Sequence, residues 1–252
     1  MAIDNNLSVI ILIGGRGSRF SKINEPPKQL MILNKRSLLE NQMRYFIRYK
    51  VRNFILPLGY KSSYFRNFFK KKKTINNFKI KVHNYKFDKI EKNKINILLF
   101  DGGKNTSKLN RIKKSLKFIK NNNFLATYGD GIANINLKNY IQLFNKYKKA
   151  IVACKNVKSQ YGHLKIKEEK ILSFDEKPIL KDPINIGYYF FPKEIFNKFY
   201  KNNYELEDKF VKSLIRNNKI IAYSHKGFFF NIDRKMDLDN IKKKYRKLLK
   251  TL

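Results

Sequence analysis

One cysteine in 252 residues excludes an internal disulfide. That residue, Cys154, lies in an apolar, strand-like run and reads as a small core side chain. Histidine is nearly as scarce: His83, His163 and His225 stand far apart, without the spacing that zinc ligands need. His163, directly after Gly162, reads as a core or pocket residue. No apolar stretch is long enough to span a bilayer as a helix. The first apolar run is only strand-length and no cationic segment precedes it, so no signal peptide is expected and the expected location is the cytoplasm. No Pro/Gly/Ser-rich linker divides the chain and no internal repeat is visible, so one domain over 1–252 is expected.

Acidic residues are also few, 19 against 56 Lys and Arg, giving a net charge of +37. Such a balance first suggests nucleic acid or an anionic membrane as partner. The charge, however, is spread from end to end and is mostly lysine mixed with asparagine, with no arginine-rich stripe and no nucleic-acid-binding motif. Compositional bias combined with anionic small-molecule substrates explains this pattern better than a basic, non-enzymatic nucleic-acid-binding protein, which stands as the competing class.

What is abundant is core-forming material, 42% hydrophobic and 14% aromatic residues. The chain is organised around residues 8–30, SVIILIGGRGSRFSKINEPPKQL. The run over 9–13 reads as a buried strand. It breaks into Gly14, Gly15, Arg16, Gly17, Ser18 and Arg19, and the segment closes on Lys28 after two prolines. Glycines there let the backbone approach a ligand, and successive free N–H groups form a concave anion site. Arg19 and Lys28 add positive charge on the same loop. A bare tight turn is the competing reading; the two cations favour a polyphosphate-binding loop. The pattern is neither the P-loop nor G-x-G-x-x-G.

Further along, Ser37-Leu38-Leu39-Glu40 has the form of a capping box and starts a helix to about residue 50, with Leu39, Met43, Phe46 and Ile47 on one face. Strands are expected over 53–58, 78–82, 95–100, 124–128 and 150–154, and helices from 61 to about 70, over 107–120 and over 137–147. This alternation argues for an α/β fold with a mostly parallel sheet and helices on both faces. In such sheets ligands bind beyond the carboxyl ends of the strands, where Gly14, Gly102 and Asp130 fall. The second half changes character. A hairpin is expected over 163–167 and 170–174, an aromatic-rich strand over 185–191, helices over 192–200 and 207–217, strands over 220–224 and 227–232, and a basic terminal helix. Asp130, between two glycines, and Asp233 each follow a strand. A turn-forming role competes with a functional one. Two such carboxylates could share one Mg²⁺, an ion that takes few carboxylates together with phosphate oxygens and water.

GGRGSRF followed by PPKQL resembles the signature of the sugar-phosphate nucleotidyltransferases, with Ser18 and Phe20 in place of Thr and Leu and Pro26 where relatives often carry a first lysine. FLATYGDGIANINL, SFDEKP, INIGYYFF and GFFFNIDRKMD follow in the family's order and spacing. YGDGIAN, YGHL and GFF followed by Asp233 are most similar to the glucose-1-phosphate cytidylyltransferases within that family. The resemblance implies a Rossmann-like fold of the nucleotide-diphospho-sugar transferase type, with a nucleotide-binding half over 1–150 and a sugar-phosphate half over 151–252. It implies an Mg²⁺-dependent cytoplasmic transferase of nucleotide-sugar and polysaccharide biosynthesis, joining CTP to glucose 1-phosphate with release of pyrophosphate. UTP, GTP, dTTP or another phosphate acceptor is the alternative within the fold, and a homo-oligomer is left open. Leu12, Gly14, Gly15, Gly17, Ser18, Arg19, Lys28, Thr106 and Arg111 would bind the nucleotide. Arg19, Lys28 and Asp130 would be catalytic, and Asp130 and Asp233 would hold the metal. Gly162, Glu176, Lys177, Asn185 and Gly187 would bind the sugar phosphate. Leu109-Asn110 replaces a glycine pair of the cytidylyltransferases, a departure that bears on base and sugar choice.

Overall fold

Every residue of the Ser8–Leu12 strand is buried, and its side chains divide between two cores. Val9 and Ile11 pack with Leu39, Met43 and Phe46 of the Leu38–Arg48 helix and with Phe65 and Tyr140 of the Ser62–Lys71 and Leu137–Tyr147 helices. Ile10 and Leu12 pack on the other side with Leu109 and Ile112 of the Lys108–Ser115 helix and with Phe196, Phe210 and Leu214. A strand buried on both faces needs helices on both faces, and the period of two along its side chains produces that division. These elements belong to a computed structural model, which describes residues 7–15, 25–84, 91, 93–202, 204–232 and 235–244.

Among the described residues the main sheet has nine strands, in the order Ile220–Ser224, Ala150–Lys155, Ile184–Pro192, Asn123–Tyr128, Ser8–Leu12, Asn53–Leu58, Ile95–Asp101, Phe78–Asn84 and Thr74–Ile75. Ser8–Leu12 pairs in parallel with both neighbours, and the Asn53–Leu58, Ile95–Asp101 and Phe78–Asn84 strands continue in parallel. The expected mixed, mostly parallel architecture is therefore the one observed. Ile184–Pro192 runs antiparallel to both Asn123–Tyr128 and Ala150–Lys155, and the edge strand Thr74–Ile75 is antiparallel to Phe78–Asn84. The turns at Gly14, Gly59, Gly102 and Gly129 all leave the carboxyl ends of parallel strands and so share one edge of the sheet.

Local chemistry accounts for the helix that faces this edge. Ser37 caps Leu38–Arg48 by accepting from the Glu40 amide at 3.1 Å, while the Glu40 carboxylate pairs with Lys72 at 2.8 Å and so does not close the capping box. The expected hairpin forms as His163–Lys167 and Lys170–Asp175, with Glu168 and Glu169 at positive φ in its turn. Leu164 pairs with Phe174 and Ile166 with Ile171, so these four share one face, and all four are exposed. His163 is exposed as well, with Nε2 2.8 Å from the Ser159 hydroxyl. The expectation of a core or pocket histidine is corrected: this hairpin stands away from both cores. Among the described residues no helix is long and apolar enough to cross a membrane.

Candidate active site

The shared edge opens into a cleft of about 1300 Å³. Leu12, Gly14, Gly15, Lys28, Thr106, Arg111, Asp130 and Asn185 line it, bringing together residues that the sequence places in four separate segments. Arg16, Gly17, Ser18, Arg19 and Asp233 lie outside the described residues.

Lys28 is placed by Pro27, which holds an extended backbone (φ −62°, ψ 148°) directly before the short Lys28–Leu30 helical turn. Its ammonium lies 2.7 Å from Oδ2 of Asp130 and donates to the Ile232 carbonyl at 3.2 Å. The Ile232 amide in turn donates to the Asp130 carbonyl at 3.0 Å. The Asp130 turn and the chain leading to Asp233 are thus tied together, with a cation held between a carboxylate and a carbonyl. Oxygen donors already gathered around one positive charge suit a hard divalent cation. Among the described residues no group of three or more His, Cys, Asp or Glu gathers as a metal site, here or elsewhere, so a cation at Asp130 would take most of its ligands from phosphate and water.

Arg111 is buried at 4% exposure, and its guanidinium donates to the carbonyls of Thr106 at 3.1 Å and Gly103 at 2.7 Å. A Cβ built on Gly14 would fall 1.1 Å from its Nη1, so only glycine lets the loop backbone lie against this side chain. Burial lowers the Arg111 pKa from its ordinary value, and the Asp101 carboxylate opposes that shift. The guanidinium therefore braces the 103–106 segment against Gly14 and brings positive charge to the cleft wall.

Leu109 and Asn110 do not line the cleft. Leu109 is fully buried in the core, and Asn110 accepts from the Tyr200 hydroxyl at 2.9 Å and donates to the Asn202 carbonyl at 3.1 Å. Asn185 donates to the Tyr189 hydroxyl at 2.6 Å and accepts from the Gly187 amide at 2.8 Å. Gly187, at φ +75°, packs on the Tyr128 ring, where a Cβ would come within 2.3 Å. Gly162, Glu176 and Lys177 are at the foot of the exposed hairpin and do not line the cleft. Glu176 and Lys177 pair with each other at 3.3 Å, both largely solvated.

Sequence reasoning missed a second polar group, in which Lys108 and Tyr128 of the cleft lining meet Glu207 behind them. The Glu207 carboxylate accepts from both Lys108 and the Tyr128 hydroxyl, and the Lys108 ammonium lies 4.8 Å over the Tyr128 ring. Burial drives the Tyr128 pKa well above its ordinary value and pushes that of Tyr189 up to about 12, so both phenols stay protonated donors at neutral pH. Tyr128 ends the strand before Gly129-Asp130, and Lys108 falls within the segment compared with the cytidylyltransferases, so both carried a positional signal. Glu207 carried none, because its contacts span 79 and 99 positions of the chain.

Against known proteins, the family model described as "Nucleotidyl transferase" matches residues 8–233. The chain is 30% identical over 249 residues to "Probable glucose-1-phosphate cytidylyltransferase" of Bacillus subtilis (strain 168), covering 94% of this chain and 95% of that protein. It is 29% identical over 231 residues to the D-glycero-alpha-D-manno-heptose 1-phosphate guanylyltransferase of Campylobacter jejuni, covering 90% and 94%. The fold superposes on a UDP-glucose pyrophosphorylase solved with UDP-glucose at a TM-score of 0.68 and 18% identity, covering 96% of this chain and 99% of that one. With a match that spans nearly the whole of the sheet and cleft just described, the chain belongs to the nucleotidyl transferase family, among its sugar-phosphate nucleotidyltransferases.

Proposed function

We propose that the cleft joins CTP to a sugar 1-phosphate, glucose 1-phosphate first among them, releasing pyrophosphate. The observation that carries the reading is the convergence of Gly14, Lys28, Arg111, Asp130 and Asn185 on one cleft at the carboxyl edge of the sheet. A phosphate oxygen of the sugar attacks the α-phosphorus in line as pyrophosphate leaves. The nucleophile is already an anion, so no strong general base is needed, and the protein's work is positioning and charge neutralisation. Lys28 would meet the α-phosphate. The family resemblance gives Arg19 the leaving phosphates and Lys177 the incoming one. Asp130, with Asp233 by resemblance, would hold Mg²⁺, which supplies charge stabilisation at the transferring group when bound. The polar groups of Tyr128 and Asn185, which line the cleft, would meet sugar hydroxyls, with the buried Tyr189 hydroxyl behind them.

The CTP reading rests on the likeness to the cytidylyltransferases and on Thr106 and Arg111 at the cleft wall. Leu109 and Asn110, which stand in place of the glycine pair, do not themselves line the cleft, so the reading does not depend on contacts from their side chains. A guanylyl transfer to a heptose 1-phosphate is the second reading, favoured by the Campylobacter relative. Rates with CTP, UTP, GTP, ATP and dTTP against a fixed sugar phosphate decide between them. CTP is expected to give the highest kcat/KM. If another nucleotide exceeds it tenfold, about 1.4 kcal/mol in transition-state binding, the cytidylyl reading is wrong while the transferase reading stands.

A further inference from the structure

Asp130 sits on a turn between the Asn123–Tyr128 strand and the short Gly131–Ala133 strand. Lys28 holds its carboxylate from the cleft side. From the core side Gln42, on the Leu38–Arg48 helix, makes the shortest side-chain bonds to the turn, beside longer ones from the Tyr188 hydroxyl to the Gly131 carbonyl at 3.4 Å and from the Thr127 hydroxyl to the Tyr128 carbonyl at 3.3 Å. The Gln42 amide nitrogen donates to the carbonyl of Tyr128 at 2.8 Å and to that of Gly131 at 3.0 Å, and it lies 3.3 Å from the Thr127 hydroxyl. Gln42 is 1% exposed, so no bulk water can replace it. The two carbonyls flank Asp130 on either side. Without Gln42 they would be left with the long hydroxyl contacts from Tyr188 and Thr127, poor replacements for groups in the core whose loss of good bonds is costly enough to make the backbone rotate. A rotation of that turn would move the carboxylate in the cleft.

We propose that Gln42 is a positioning residue for Asp130: its amide clamps the turn so that the carboxylate is presented at the place where the divalent cation is to be held. The inference rests on the metal reading given above. Neither Gln42 nor the helix around it lines the cleft, so its effect passes through the backbone of the turn and not through contact with substrate.

Binding of Mn²⁺, followed by electron paramagnetic resonance with a non-hydrolysable nucleotide present, tests this directly. Gln42→Met keeps the length and removes the donor. It is expected to weaken Mn²⁺ binding about tenfold while changing metal-free nucleotide binding less than twofold. Asn41→Leu is the control. Its neighbouring buried amide donates to the Leu33 carbonyl at 2.9 Å and touches nothing in the turn, so it should lower Tm without moving Mn²⁺ affinity. If Gln42→Met does not fold, Gln42→Asn keeps the amide but withdraws it by one methylene, and a Mn²⁺ loss of threefold or more is expected. The proposal is overturned if the folded Gln42 variant binds Mn²⁺ like the wild type, or if Asn41→Leu weakens it equally. Asp130→Asn separates the two ideas. If it leaves Mn²⁺ binding unchanged, the metal reading itself has failed. If it abolishes binding and the Gln42 variant does not weaken it, only the positioning role has failed.

Discussion

Asp130→Asn is expected to lower turnover by about a thousandfold or more with the fold intact. Asparagine keeps the shape and leaves in place the backbone bonds that hold the turn, from the Gly129 amide to the Leu12 carbonyl at 3.2 Å and from the Ile232 amide to the carbonyl of residue 130 at 3.0 Å. What goes is the negative charge that Lys28 meets at 2.7 Å and on which a divalent cation would sit. Charge stabilisation by a bound metal contributes several kcal/mol to a transferring phosphoryl group. At about 1.4 kcal/mol per tenfold in rate, three decades or more should be lost. Steady-state turnover beside a thermal melt checks this. A folded variant within threefold of wild type would show that Asp130 is only a turn residue, the alternative that its Asp-Gly sequence left open.

Lys28→Ala should cost about a hundredfold to a thousandfold in kcat/KM for the nucleotide, the range seen when one preorganised donor to a developing charge is removed. Its ammonium is mostly screened from solvent, with the side chain 13% exposed, so its charge acts on a bound phosphate with little dilution by water. Lys28→Arg is not expected to restore the rate. A planar fork cannot take the place of a compact ammonium held between the Asp130 carboxylate and the Ile232 carbonyl. Varying each substrate in turn is the measurement. A loss confined to the sugar phosphate would move Lys28 out of the nucleotide subsite.

The parts of this account that were legible in the sequence are those written in local pattern. The unbroken burial of residues 8–12, the 137–147 helix and the hairpin turn at Glu168-Glu169 are decided by side-chain pattern and turn chemistry within a few residues, and they appear where expected. The glycine turns and Asp130 were legible for the same reason, since each closes a strand. What was not legible depends on pairing at a distance. An aromatic run at 185–191 announces a buried strand but not its direction, and Ile184–Pro192 enters the sheet antiparallel, between two strands that precede it in the chain. Gln42 looks like any polar residue on an amphipathic helix, and its role arises from carbonyls 86 and 89 positions away. His163 was misread because its glycine neighbour suggested a pocket, whereas the hairpin that carries it projects from both cores.

Transfer of a nucleotidyl group to a sugar phosphate is the reaction to be measured. Purified protein incubated with CTP and Mg²⁺, with and without glucose 1-phosphate, tests it most directly, following pyrophosphate and the nucleotide sugar together. Equal amounts of the two products are expected, formed only when both substrates are present, with regeneration of CTP when pyrophosphate is added to the nucleotide sugar. Pyrophosphate released from the nucleotide alone, or no product with any nucleotide and sugar 1-phosphate tried, would contradict the transferase reading.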